Sequence, residues 1–278
     1  MMFSIGGEFR IDELVIRGSC NGLLCLHHLP SRRFCLFNPG TKSASQCFRI
    51  ERVSSLIYFG LGYDHVHDKY KLVTVHGQDL TRIFTFGANS WTIGPNFPYP
   101  VVGLSGHIGK FVSGTVGTLN WMAKLKEKKW VILSFDLASE TFGQVLLPLL
   151  SGVGHNTCDP ELQVSLNCLC FTIQKDTVFE VWMMKEYGVW ESWMMISRVN
   201  HLRLDYNSLI PLSISERDVL FLLLPMKSLV MYNCDDGLFH YPLRGYRSDD
   251  AIQSPTCYKG IFFPTFFVYH DSLVSPPQ

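Results

Sequence analysis

VFEVWMMKEYGVWESWMMISRV, residues 178–199, sets apolar and aromatic side chains on both sides of a short polar break, Lys185-Glu186-Tyr187-Gly188. β-branched and aromatic residues fill strands, and a polar break with glycine supplies a turn, so the stretch predicts a β-hairpin. It has relatives along the chain: FCLFNPGTKS, RIFTFGANSW, VILSFDLASETF, LVMYNCDDGLF and FFVYHDSLV. Each runs an extended segment into a large apolar residue and then a turn. Those last apolar residues, Phe37, Phe86, Phe135, Met184, Tyr232 and Tyr269, are spaced by 49, 49, 49, 48 and 37 positions. A near-constant period close to ~50 marks a repeat architecture, in the size range of propeller blades.

The interior of each unit agrees. Upstream lies a second turn followed by an apolar run: NGLLCL at 21, GTLNW at 117, NCLCF at 167, DVLFL at 218 and KGIFF at 259. Downstream, Trp91, Phe142, Trp190 and Phe239 each open a further strand. Every unit therefore reads as four strands, A to D. No long segment has a sustained 3.6-residue period, so the fold class is all-β. The expected architecture is a propeller-like ring of about six blades near 10–48, 57–97, 110–148, 163–199, 208–243 and 251–278, the terminal ones incomplete. The whole chain, 1–278, is expected to form one domain, with residues 3–17 closing the ring onto the last blade. Blades stacked in a ring bury aromatics between neighbours, which is the expected use of Trp182, Trp190 and Trp193.

Composition excludes several classes. The 278 residues carry a formal net charge of zero, and only 17% are charged while 13% are aromatic, which argues against disorder. Zero net charge gives no global pull toward nucleic acid or an anionic membrane, and neither is an expected partner. The nine cysteines are odd in number and include no C-x-x-C, as in a reducing compartment, so a cytoplasmic or nuclear location is expected. The strongest aliphatic run, Val219 to Leu224, is too short to span a bilayer.

Motifs for chemistry are sparse. Asp64-His65-Val66-His67-Asp68 would place two imidazoles on one side of a strand, as a metal site needs, but no third ligand cluster recurs and the run reads more simply as a polar hairpin turn. Gly103-Leu104-Ser105-Gly106 lacks the spacing of a nucleophile elbow, and Leu104 and Phe111 break the P-loop pattern around Gly109-Lys110. Gly60-Leu61-Gly62 reads as a bend inside a strand. Cys168 and Cys170 read as small buried hydrophobes. No catalytic residue, metal or cofactor is assigned.

Charge is segregated by loop type. The B–C loops carry Arg32, Arg33, Arg82, Lys124, Lys126, Lys128, Lys129, Lys175 and Lys227 against Asp79, Glu127 and Asp176, nine against three, a surplus of six positive charges. The C–D turns carry Lys42 and Lys185 against Asp136, Glu140, Glu186, Glu191, Asp235, Asp236 and Asp271, two against seven, a surplus of five negative charges. In a blade these loops lie at opposite ends, so the ring is expected to be polarised, its basic face recruiting an acidic protein segment.

The ordered set GSCNGLLCL (18–26), LFNPGTKS (36–43), FGLGYDHVHDKYKLV (59–73), FTFGANSW (84–91), GTLNWMA (117–123), ILSFDLASETFGQVLLP (132–148), VWMMKEYGVWESW (181–193) and LVMYNCDDGLFHY (229–241) resembles the plant F-box-associated interaction domain of the F-box/kelch-type family. The resemblance is clearest over 14–243; the double-glycine kelch signature is missing, since the only Gly-Gly is Gly6-Gly7. It implies a non-catalytic module that holds the target protein of a Skp-cullin-F-box ubiquitin ligase, with ubiquitin transfer left to other subunits. No F-box-like segment precedes Gly18, so the expectation is a truncated F-box protein that would meet a Skp-type adaptor only with the F-box restored. A carbohydrate-binding propeller using exposed tryptophans is the alternative reading, and a propeller hydrolase with a metal at His65 and His67 is a third.

Overall fold

The computed structural model describes residues 13–50, 56–76, 80–98, 107–114, 117–124, 130–148, 160–175, 178–200, 210–214, 219–223, 229–234, 237–240, 254–258, 261–265 and 272–277. Its strands fall, in chain order, into six sheets. The first holds β1 (Leu14–Cys20), β2 (Leu23–His28), β3 (Arg33–Asn38), β4 (Ser43–Ala44) and β5 (Phe48–Arg49). The second holds β6 (Leu56–Asp64), β7 (Lys69–His76), β8 (Leu80–Thr85), β9 (Ser90–Ile93) and β10 (His107–Ile108). The third is β11 (Lys110–Val112), β12 (Thr118–Lys124), β13 (Trp130–Asp136) and β14 (Thr141–Val145). The fourth is β15 (Glu161–Ser165), β16 (Cys168–Lys175), β17 (Val178–Met184) and β18 (Trp193–Asn200). The fifth is β19 (Ile210–Ile214), β20 (Val219–Leu223), β21 (Leu229–Asn233) and β22 (Phe239–His240); the sixth shows β23 (Ser254–Tyr258) and β24 (Ile261–Thr265) among the described residues.

Neighbours in each sheet are antiparallel meanders, except that β10 returns parallel to β6. From the first sheet to the fifth, the first strand lies beside the first strand of the next: β1 by β6, β6 by β11, β11 by β15 and β15 by β19. β23 of the sixth sheet lies beside β1, which closes the series. Sheets in chain order with their first strands side by side make a β-propeller, with the repeat register read from Phe37, Phe86, Phe135, Met184 and Tyr232 at or next to the ends of third strands. Tyr269, the sixth member of that series, lies outside the described residues.

The expected closing strand at 3–17 falls largely outside the described residues. Residues 1–12 lie outside the described residues, and Leu14, Val15 and Ile16 pair with His28, His27 and Leu26 inside the first blade. The C-terminal segment also meets blade one: Asn38 Nδ2 donates to the carbonyls of Ser272 and Val274, each at 2.8 Å.

Packing follows the blade boundaries. Cys25, Phe34 and Leu36 of blade one meet Phe59, Leu61, Leu72 and Phe84 of blade two. Tyr58, Val73 and Val75 meet Trp121, Leu133 and Phe135 of blade three. Val112, Met122 and Ile132 meet Leu169, Phe171 and Trp193 of blade four, and Val181, Met183 and Val199 meet Leu220, Val230 and Tyr232 of blade five. Inner strands such as β2 are buried along their whole length, whereas outer strands such as β9 are mostly exposed. Each fully buried Leu, Val, Ile or Phe contributes about 1.5–3 kcal/mol, so the boundaries between blades hold the ring. Gly60 and Gly62 mark such a boundary rather than a bend: β6 and β7 pair in continuous register through both, and a Cβ would stand 2.9 Å from Trp121 at Gly60 and 2.5 Å from Leu137 at Gly62.

Candidate functional site

Among the described residues, two kinds of turn recur at the end of the ring that carries the A–B and C–D connections. The first is a two-residue hairpin. Asn21-Gly22 joins β1 to β2 with φ of 50° and 77°, and Leu166-Asn167 joins β15 to β16 with 50° and 57°. Asn-Gly is the usual pair for such a turn, because both central residues need positive φ. The second is a longer turn opened by an Asn or Asp. Oδ1 of Asn38 accepts the backbone N–H of Gly40 and Thr41, Oδ1 of Asp64 accepts Val66 and His67, and Oδ1 of Asp136 accepts Ala138 and Ser139. Four residues later the chain is left-handed in each case, at Lys42, Asp68 and Glu140. These side chains satisfy backbone donors that would otherwise be orphaned at the loop.

Lys71 ties two of these turns together, a role the sequence reading missed. Its ammonium is buried, lies 2.9 Å from Asp64 Oδ2, and donates to Glu140 Oε1 and the Leu137 carbonyl at 2.7 Å each. Burial alone would pull the lysine down, but the Glu140 and Asp64 hydrogen bonds outweigh it and hold it above its ordinary value. Burial would raise Asp64, and Lys71 with the His67 hydrogen bonds outweighs that, holding the carboxyl below its ordinary value. Glu140 of the C–D turn charge set is thus spent on an inter-blade ion pair.

Further inward, blades two, three and four are linked side by side. His65 Nε2 lies 3.4 Å from Ser113 Oγ. The Ser113 N–H donates to Asn167 Oδ1 at 2.8 Å, and Asn167 Nδ2 donates back to the Ser113 carbonyl. Tyr187, from the turn after β17, donates its hydroxyl to Asn120 Oδ1 at 2.9 Å in β12. Around this chain of contacts Val66, Leu166 and Tyr187 are 65%, 49% and 36% exposed.

His65 and His67 sit in the β6–β7 turn rather than a strand. His67 Nδ1 takes Asp64 Oδ2 at 2.8 Å, while His65 packs on Tyr63 and Phe111. The two imidazoles therefore serve different neighbours. Four of the six tryptophans latch onto the preceding blade through the indole N–H: Trp91 to the Arg49 carbonyl at 3.3 Å, Trp121 to Phe59 at 2.9 Å, Trp190 to Leu147 at 3.1 Å and Trp193 to Leu146 at 2.9 Å. Trp190 departs from the expectation that it opens a strand. It lies in a 3-10 turn, Trp190–Ser192, and is 39% exposed, because the chain needs that extra turn before β18 begins at Trp193.

Of the predicted basic residues, Arg32 occupies the left-handed position of the β2–β3 turn and Arg33 is the exposed first residue of β3. Arg82 lies inside β8, opposite Thr74 and Ile93, rather than in a loop. Lys124 ends β12 with its Nζ 4.8 Å over the Trp130 ring. Lys126, Lys128, Lys129 and Lys227 lie outside the described residues, as do the Lys175 side chain and Asp79, Glu127, Asp176, Asp235, Asp236 and Asp271.

Comparison with known proteins completes the picture. The model of the F-box associated beta propeller domain matches residues 7–276. The chain is 31% identical over 244 residues to an F-box/kelch-repeat protein of Arabidopsis thaliana, covering 84% of this chain and 64% of that protein. It is 28% identical over 219 residues to the F-box protein CPR1 of Arabidopsis thaliana, covering 66% of this chain and 51% of that one. The chain thus spans about half to two thirds of the length of these curated relatives. Among solved structures, a crystal structure of a nidogen/laminin complex aligns with a TM-score of 0.51 at 11% identity, over 84% of this chain and 82% of that one, a likeness of fold alone.

Proposed function

The chain belongs to the F-box associated β-propeller domain family, and from that premise we propose that it is a non-catalytic protein-interaction module, the part of a Skp-cullin-F-box ubiquitin-ligase receptor that holds the target protein. The observation that carries this reading is the match over 7–276 together with relatives that are F-box proteins. In this role the ring is a rigid frame, and recognition belongs to the loops it displays. The polar groups at the turn end support it: Asp64, Asp136, Asn38 and Lys71 are engaged in holding turns and blades together. Adaptor engagement and delivery of a target to the ligase belong to an F-box, and the module works in the cytoplasm or nucleus. The basic B–C loops, with Arg32 and Arg33 on the first of them, recruit an acidic segment of the target.

Affinity capture from plant extract tests this, using the chain alone and the chain joined to an F-box. Both forms should retrieve the same target, and only the extended form a Skp-type adaptor. Retrieval of glycans with no protein would replace this reading with that of a carbohydrate-binding propeller.

A further inference from the structure

Building on the reading of the chain as an interaction module, the geometry points to a binding surface on the turn end of blades two to four for a basic peptide segment with apolar anchors. The surface runs from Val66 in the β6–β7 turn, past Ser113 and Gly114, to Leu166 in the β15–β16 turn and Tyr187 after β17. Along it His65, Ser113 and Asn167 are in contact in series, and Tyr187 reaches from blade four to Asn120 in blade three. Apolar side chains stand out along it at Val66, Leu166 and Tyr187, and a Cβ at Gly114 would meet no atom of the described residues within 4 Å.

Leu166 carries the strongest part of the argument. It is held at φ 50°, where a leucine costs roughly 1–2 kcal/mol and where asparagine or glycine would rest easily. It is also half exposed, so its side chain gains little from burial in the ring. A strained backbone presenting a greasy side chain to solvent is explained when that side chain has an external partner. The neighbouring anchors are pre-organised as well. Asn167 is tied on both sides of its amide to Ser113, and the Tyr187 hydroxyl is fixed on Asn120. Anchors that are already rigid lose little entropy on binding.

Charge selects the partner. Beside Tyr187 the C–D turns of blades three and four carry Asp136, Glu186 and Glu191 against Lys185, with Glu140 already taken by Lys71. In blade two Asp68 and Lys69 offset each other. A complementary segment therefore carries Lys or Arg beside Leu, Val or aromatic residues. This surface is distinct from Arg32 and Arg33, which sit on the β2–β3 turn at the opposite end of the strands.

A random twelve-residue peptide library displayed on phage, panned on the full chain, is the direct test. Selected peptides should be rich in Lys and Arg with interspersed apolar residues. Their affinity, read by fluorescence anisotropy, should fall about tenfold or more in the Leu166→Asn, Val66→Ser double variant, a loss on the scale of a hot spot. It should also fall with added salt and be unmoved by Ile93→Ser on the exposed outer strand β9, while Arg32→Glu with Arg33→Glu reports separately on the basic end. Peptides that are acidic, or that respond only to the arginine variants, overturn this surface and leave the interaction-module reading standing. Self-association of the chain that the double variant abolishes also overturns it, assigning the patch to a second copy. Enrichment of no peptide overturns it and counts against the module reading as well.

Discussion

Trp121 Nε1 donates to the carbonyl oxygen of Phe59 at 2.9 Å, across the boundary between the third and second blades. Trp121 is 1% exposed and its ring fills the space left by Gly60 and Gly109. Trp121→Ala removes both the packing and the bond, and is expected to cost about 3–5 kcal/mol. Trp121→Phe keeps most of the packing and should cost distinctly less. Urea unfolding midpoints of the two variants give the comparison; equal losses would mean that packing of the ring contributes nothing beyond the indole N–H bond.

Lys71 is the second inter-blade tie. Lys71→Met leaves Asp64, whose side chain is 0% exposed, without its cation and should destabilise by about 3–5 kcal/mol. Glu140 is about one third exposed, so Glu140→Gln should cost only about 1 kcal/mol or less. The ratio of the two losses, from denaturant titration, separates a buried charge from a surface pair.

Acid should weaken the fold before its carboxylates titrate. Burial first, then the charges of Arg17 and His28, pull His27 down to about 3 from the ordinary 6.5. Burial and then Arg82 pull His76 down to about 4. Between pH 6.5 and 4 the unfolded chain takes up protons on these imidazoles that the native ring refuses, so stability falls as pH falls through that window. Melting temperatures from pH 7 to pH 4 should show this slope, and it should flatten when both positions are changed to Gln.

Leu166→Asn should stabilise the ring while it weakens peptide binding. Asparagine tolerates the left-handed conformation, so relief of strain should raise stability by about 0.5–1 kcal/mol. Calorimetry on this single variant reads the strain apart from any partner.

Asn38 holds both its own turn and the C-terminal segment, and Asn38→Asp separates the two. The carboxylate can still accept from Gly40 and Thr41, but it cannot donate to the carbonyls of Ser272 and Val274. Backbone amide exchange should therefore rise in residues 272–277 while the turn at 38–42 stays protected.

The repeat was legible because its signals are local. A third strand with Phe37, Phe86 or Phe135 within one residue of its end, followed by an Asx-opened or glycine turn, leaves the same mark at each of these blades. The buried inner strand β2 reads as an apolar run, LLCL, closed by two histidines. What the sequence concealed is tertiary. Lys71 lies within a strand and looks like an ordinary exposed cation until Glu140, 69 positions later, comes alongside. Asn38 meets Ser272 across 234 positions. Trp190 looked like a strand opener because aromatics open β9 and β22 in similar places, and only the 3-10 turn before β18 displaces it. The apolar side chains of the turn end went unnoticed because Leu166 carries no charge and its positive φ leaves no trace in composition.

The interaction-module claim is most directly tested by titrating the purified captured protein into the chain by calorimetry, in parallel with a panel of plant glycans. One-to-one saturable binding of the protein, weakened by loop or turn-end surface variants that leave the melting temperature unchanged, is the predicted result. Saturable glycan binding with no protein binding would contradict it.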